Sequence, residues 1–370
     1  MLAYIGRRGE RLFMAYDANQ TNPDSIIPSF LVMQQNRARG CTPNGTGCPA
    51  GVTGATPELT AQLTAAFIAF GQTAATAATS AVNFINSTTT TSELDINGAG
   101  SFARRIEDNV LGMKLRPNQQ FGVITMLDNH GDSNYNAAQF TLRRRFSSGL
   151  GFGMSYTFGK SIDNQSVDPV GASSGGGLST TNSRTPTDIR DFRRERGRSD
   201  FDRTHVLTAS SVWELPFGRG KHFLSSSSGV VNQVLGGWTA NAIYTFQSGE
   251  PFAVRSGAFT ANGSHESRAG VVNPTQAQLQ FLAGSSLPGP VVFKPVEINP
   301  VTGQPYTCGT NPSVTFCLPP PGQDGAGRNI FVASSYWNLD LGSDQDFRRY
   351  RKMAAAVPHG DVQCVEPSEL

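Results

Sequence analysis

The sequence has no run of the roughly 20 apolar residues that a transmembrane helix needs, which excludes helical spans. It has little charge imbalance. Thirty Lys and Arg against 28 Asp and Glu leave +2, which excludes a strong global field and gives no reason to expect nucleic acid as a partner. Apolar residues reach only 38%, low for a soluble enzyme of 370 residues. The five histidines show no metal-ligand spacing, and no Gly-x-Ser-x-Gly elbow occurs. No residue therefore qualifies as catalytic, cofactor-binding or metal-binding, and the expectation is a protein that is not an enzyme and needs no cofactor. Met1 is followed at once by Leu2-Ala3-Tyr4-Ile5-Gly6-Arg7-Arg8, without the basic region, apolar core and cleavage site of a signal peptide. An exported protein with this start is expected to have lost its beginning.

Gly (40), Pro (22) and Phe (23) are abundant instead. A β-barrel needs no large apolar core, because its interior is polar and its apolar band faces lipid. The segment Asn134 to Ser161 carries that pattern most clearly. Ala138, Phe140, Leu142 and Phe146 alternate with Gln139, Thr141, Arg143 and Arg145. Ser147-Ser148-Gly149 reads as a turn. Then Leu150, Phe152, Met154, Tyr156 and Phe158 alternate with Gly151, Gly153, Ser155, Thr157 and Gly159. A period of two separates two faces of a sheet, here one large and apolar and one small and polar. A soluble sandwich strand has the same period, with the apolar face turned to a core.

Loop lengths separate the two. Strand patterns recur at 1–8, 118–128, 201–215, 236–248, where Trp238, Tyr244 and Phe246 share a face, and Tyr336–Phe347. Between them lie short turns and very long polar stretches, including Asp163 to Asp200 and Pro251 to Val332. That asymmetry belongs to outer-membrane barrels, with short periplasmic turns and long extracellular loops. Within one loop, Thr56-Pro57-Glu58 is a helix start, and a helical insertion is expected over 57–86. Segments 11–39 and 87–100 read as irregular.

Cys41 and Cys48 lie in one Pro/Gly/Asn-rich loop, and Cys308 and Cys317 in another, so two local disulfides in an oxidising compartment are expected. A zinc site lacks both the knuckle spacing and a nearby His. Cys364 is left over. Gly159-Lys160-Ser161 resembles the end of a phosphate loop, but the required first Gly is replaced by Met154 and no helix pattern follows. The cluster Arg184–Arg203 holds seven Arg and five acids, too balanced for a nucleic-acid patch, and reads as a mutually paired loop with a minor possibility of anionic-ligand contact. Asp200, Asp202 and His205 read as a barrel-rim cluster.

Several phrases, taken in order, resemble the TonB-dependent receptor-like, Oar-like outer-membrane proteins of acidobacterial type. They are Ser133-Asn134-Tyr135-Asn136-Ala137-Ala138-Gln139, Ser155-Tyr156-Thr157-Phe158-Gly159-Lys160-Ser161-Ile162-Asp163, and Phe201-Asp202-Arg203-Thr204-His205. Glu214-Leu215-Pro216-Phe217-Gly218-Arg219-Gly220-Lys221, Leu235-Gly236-Gly237-Trp238, and Phe246-Gln247-Ser248-Gly249-Glu250-Pro251-Phe252 extend the likeness. The resemblance implies a large barrel with a plug, located in the outer membrane, that binds and passes a ligand energised by a TonB partner. No plug or TonB-contacting box is recognisable here.

The expected architecture is thus mainly β: an antiparallel transmembrane β-barrel segment over 1–347, incomplete and open, with an atypical disordered tail over 348–370. Phe140, Leu142, Phe152, Met154, Tyr156, Phe158, Trp238, Tyr244 and Phe246 are the candidate lipid-facing residues. Outer-membrane lipid and an unidentified extracellular ligand are the expected partners. Two alternatives stand beside the transporter: a surface adhesion or structural protein using the barrel as a platform for its loops, and a soluble secreted β-protein that binds carbohydrate.

Overall fold

A computed structural model describes residues 1–110, 112–166, 186–226, 229–272, 298–300 and 303–345. Six long strands form one antiparallel meander. They are β1 (Leu2–Asp17), β2 (Thr125–Ser147), β3 (Leu150–Asp163), β5 (His205–Glu214), β6 (Trp238–Gln247) and β11 (Tyr336–Gln345), paired in that order. A two-residue strand β4 (Gly197–Arg198) caps the end of β3. Among the described residues β1 and β11 each pair on one side only, so the sheet is open.

The hairpin at the centre follows from two residues. Ser148 (φ 52°) and Gly149 (φ 78°) both take the left-handed conformation, the signature of the primed turn that matches strand twist. Gly149 supplies that conformation without a Cβ clash. β1 is longer than the segment 1–8 suggests. It continues to Asp17 through register shifts around Arg11, which sits at φ 55°. Such bulges bend an edge strand without ending it.

Connections differ sharply at the two ends of the sheet. Residues 148–149 and 215–237 join strands at one end; 18–124, 164–204 and 248–335 join them at the other. The described parts of the second set fold into a head. Helices α1 (Ile27–Ala38), α2 (Glu58–Ala69), α3 (Ala74–Ile85), α4 (Thr88–Asp95) and α5 (Ala99–Asn109) enclose an apolar core that includes Phe30, Met33, Leu59, Leu63, Ile85, Phe102 and Ile106. The Phe30 and Phe102 ring centroids lie 5.8 Å apart, and the Arg105 guanidinium lies 4.2 Å from the Phe84 centroid. Two ribbons, β7 (Pro251–Phe252) with β10 (Phe331–Val332) and β8 (Gly270–Val271) with β9 (Phe316–Cys317), belong to the last connection. The disulfides Cys41–Cys48 and Cys308–Cys317 both lie in the head.

Several expectations change here. The single helix over 57–86 is two helices, because Gly71 turns left-handed at φ 88° and Thr73 then caps a new start by accepting from the Thr76 amide. Segments 11–39 and 87–100 are not irregular. Pro28 sits in the first turn of α1, where its missing amide costs nothing, and Ser87 caps α4 by accepting from the Thr90 amide. The stretch 163–200 is not simply a polar loop, since Glu195 and Ser199 are buried in its described part. The strand expected over 118–128 begins at Thr125, and that over 201–215 at His205. The Gly-rich run Ser173–Gly177, Arg184, the strand-like piece 291–293, Phe347 and the tail 348–370 with Cys364 lie outside the described residues.

Candidate functional site

Cross-strand partners share a face of a sheet, so the register assigns every strand residue to one side or the other. Phe140 pairs with Tyr156, and Leu142 with Met154. Tyr156 pairs with Leu207, which pairs with Phe246, which pairs with Trp337. Met154 leads in the same way through Ala209 and Tyr244 to Leu339. Phe152, Phe158 and Trp238 fall on the same side by alternation. All nine residues read from the sequence as apolar-face positions therefore lie on one side, joined there by Leu2, Tyr4, Trp213 and Leu341. Trp337 (64% exposed) and Leu341 (74%) stand largely open on this side. The opposite side carries Gln139, Thr141, Arg143, Gly153, Ser155, Thr157, Thr208, Asn241 and Asp340.

The apolar side has a definite height. From Leu150 to Phe158 the strand runs about 27 Å, or about 20 Å once tilted as in barrels. That approaches the apolar band of about 25 Å in outer-membrane barrels. Polar aromatic contacts mark its upper rim. The Tyr156 hydroxyl and His205 Nδ1 lie 2.7 Å apart, and the Phe158 ring centroid is 5.2 Å from that of His205. Trp213 and Trp238 stand at the other end.

Above the rim, all three long connections lock together through buried polar groups. Asp17 ends β1 and accepts from the Asn19 and Ile124 amides at 2.9 and 3.1 Å and from Ser264 Oγ at 2.8 Å. Asn19 donates to the carbonyls of Asn118 and Phe121. Asn262 accepts from the Ser264 and His265 amides and donates to the Thr187 carbonyl. Gly100 donates its amide to the Phe259 carbonyl, and a Cβ there would lie 2.0 Å from the Asn262 carbonyl oxygen, so only glycine fits.

Charges are buried at the same level. Arg268, 3% exposed, lies 2.8 Å from Glu195 and 2.5 Å from Asp324. Burial disfavours its charge, but Glu195 and Asp324 outweigh that and raise its pKa. Burial pushes the Asp324 carboxyl up against the pull of Arg268. Burial also raises Asp188, but the hydrogen bonds and charge of Arg190 prevail and hold it below the ordinary carboxylate range. Arg328 pairs with Asp163 at the end of β3. The balanced arginine cluster is in part a paired loop, as Arg190 with Asp24 and Asp188 and Arg203 with Glu250 show. Asp200 and Asp202 are structural: Asp202 accepts from the Ser161 amide at 2.7 Å, and Asp200 from Asn329 at 2.6 Å. Ser161 is thereby tied near the end of β3, and Gly159-Lys160-Ser161 lies within that strand rather than at a loop.

His265 gives this junction a pH dependence. Burial, reinforced by the charge of Arg255, lowers its pKa to about 4 against the opposing pull of Asp17 and Glu195. An unfolded His titrates near 6.5. Between pH 6.5 and 4 the unfolded chain binds a proton that the folded head refuses, so stability falls as pH falls through that window, by about 3 kcal/mol in all. Thermal melting at pH 7 and pH 4.5 should show the loss, and His265→Gln should flatten it. An unchanged slope in that variant would leave His265 no part in it.

Among the clefts on the head, two draw residues from more than one connection. One of about 500 Å³ lies between α1, α4 and the last connection, lined by Gln34, Arg37, Asp95, Asn97, Tyr306 and Thr307 among others. One of about 300 Å³ lies where the connections meet, with Gln20, Asn22, Lys114, Arg116, Arg190 and Asn262. Amides, hydroxyls and charged groups reach into both beside a larger share of apolar surface, so each offers hydrogen bonds and apolar contact together. Sequence reading did not find these clefts, because their residues come from connections far apart in the chain. Among the described residues no group of three His, Cys, Asp or Glu could hold a metal ion.

Residues 1–356 match a family model described as an outer membrane beta barrel domain. No curated protein matches the chain, and no solved structure does.

Proposed function

Because the chain belongs to the family of outer membrane beta barrel domains, we propose that it builds part of the wall and the external head of an outer-membrane transporter of TonB-dependent receptor type. It works by binding and passage rather than by catalysis. The observation that supports this reading most is the sidedness of the sheet: one apolar face continuous over six strands, backed by a polar one. Phe140, Leu142, Phe152, Met154, Tyr156, Phe158, Trp238, Tyr244 and Phe246 then meet lipid. Gln139, Thr141 and Arg143 face the lumen or a plug. The six long strands among the described residues are fewer than the eight of the smallest outer-membrane barrels, and there the edges of β1 and β11 are open to further pairing. A TonB partner in the inner membrane would energise passage, and a polar ligand would meet the head first.

A pair of neighbouring substitutions tests the reading. Met154→Arg places a charge mid-height on the apolar face and should cost about 2–4 kcal/mol of insertion into bilayers. Ser155→Arg, one residue on, faces the polar side and should insert like the parent. Equal tolerance of both, or recovery of the parent in the soluble periplasm, would sink the wall.

The packed core of the head favours a second reading, in which the wall serves as a platform for surface adhesion. Cells expressing the protein would then gain adherence with no change in uptake of small polar solutes.

A further inference from the structure

The connection between β5 and β6 is built inside out for a segment in water. Its short helix α6 (Val230–Leu235) buries no residue. Val230, Val231, Val234 and Leu235 fall within an arc of about 140° at 100° per residue. All four point to solvent, Val230 at 73% and Val234 at 57% exposure. Of its two polar residues, Asn232 turns inward, where its Oδ1 accepts from the Arg219 amide at 2.6 Å, and Gln233 is exposed. A soluble protein places such a helix the other way round. Phe217 and Phe223 pair with ring centroids 5.6 Å apart, and both remain exposed beside Leu224.

The helix is fixed rather than dangling. Trp238 Nε1 at the start of β6 donates to the Val234 carbonyl at 2.7 Å, and Gln345 at the end of β11 donates to the Gly236 carbonyl at 2.9 Å. Its apolar side thereby continues the apolar face of the sheet just beyond Trp213 and Trp238, a pair of residues suited to an interface level. Over 215–237 the sequence holds Arg219 and Lys221 and no Asp or Glu.

We propose that this connection is an interfacial foot, lying in the headgroup–acyl boundary of the anionic phospholipid leaflet at the short-turn end of the wall. Apolar residues on one side, with cationic charge from Arg219 while Lys221 pairs with Glu214 at 2.6 Å, are a combination that such a boundary retains. The inference rests on the wall reading above.

The test uses the full chain in a Cys364→Ser background, reconstituted into vesicles of phosphatidylcholine and phosphatidylglycerol. Nitroxide labels go at Val231→Cys, at Met154→Cys on the apolar face and at Glu58→Cys on the head. Collisions with oxygen and with a water-soluble nickel chelate are compared. Position 231 should exceed position 58 several-fold in oxygen over nickel accessibility and lie shallower than position 154. A second label at Leu224→Cys, also exposed, should behave as 231 does. Nickel access at 231 and 224 equal to that at 58, with 154 still in lipid, overturns the foot and leaves the wall standing. Aqueous access at 154 as well overturns both.

Discussion

Arg268→Met is expected to destabilise the head by about 3–5 kcal/mol, since it leaves two buried carboxylates without their cation. Glu195 and Asp324 are each buried to within a few per cent, and Glu195 also accepts from the Thr187 amide at 2.9 Å. Arg268 donates as well to the Ala326 carbonyl at 2.8 Å, so the loss reaches the last connection. Trypsin should then cut within 190–203 much faster than in the parent. The triple variant Glu195→Gln, Arg268→Met, Asp324→Asn removes the stranded charges with their partner and should recover part of the loss. A neutral Arg268→Met would mean that the connections 164–204 and 248–335 do not close over this ion cluster in solution.

Phe102→Ala is expected to cost about 3–5 kcal/mol, by lost burial and by the cavity it leaves. Phe102 is fully buried against Phe30 and Phe84, and Arg105 lies over its ring at 5.2 Å. The informative quantity is where the loss is felt. The core around Phe102 belongs to the helices, and the described strands add none of its members. Amide exchange in α1 to α5 should therefore accelerate by about 10²–10³-fold, while β2 and β3 keep their protection. Equal loss of protection in β2 and β3 would make head and wall a single cooperative unit. The smaller change Phe102→Leu should move exchange in the same helices by much less.

The two predictions separate two kinds of cohesion in one head. The helices hold by apolar packing and should respond to cavities. The junction of 164–204 with 248–335 holds by buried hydrogen bonds and ion pairs, and should respond to lost partners and to acid. This division suits a structure whose loops must keep a fixed shape in water above a membrane. On the proposed function, a ligand meeting the head would find surfaces already ordered by Asn19, Asn262 and Arg268, so less ordering cost would fall on the binding step.

The sequence by itself determined the alternation of β2, β3 and β6, the turn at Ser148-Gly149, the two cysteine pairs and the contrast between short and long connections. These are local properties. A period of two is carried by neighbouring residues, and a left-handed turn by the residues that occupy it. The tertiary structure alone decided three things. It decided the strand register, which aligns Met154, Ala209, Tyr244 and Leu339 on one face across four strands. It decided that the polar stretches 27–38 and 88–95 become helices, because their few apolar residues, such as Phe30, Met33 and Leu94, find a core supplied by other segments. And it decided that acids and arginines scattered over three connections become one buried junction. Pairs such as Arg268 with Glu195 or Asp17 with Ser264 lie far apart in the chain, and no periodicity or spacing in a sequence records who meets whom across such distances.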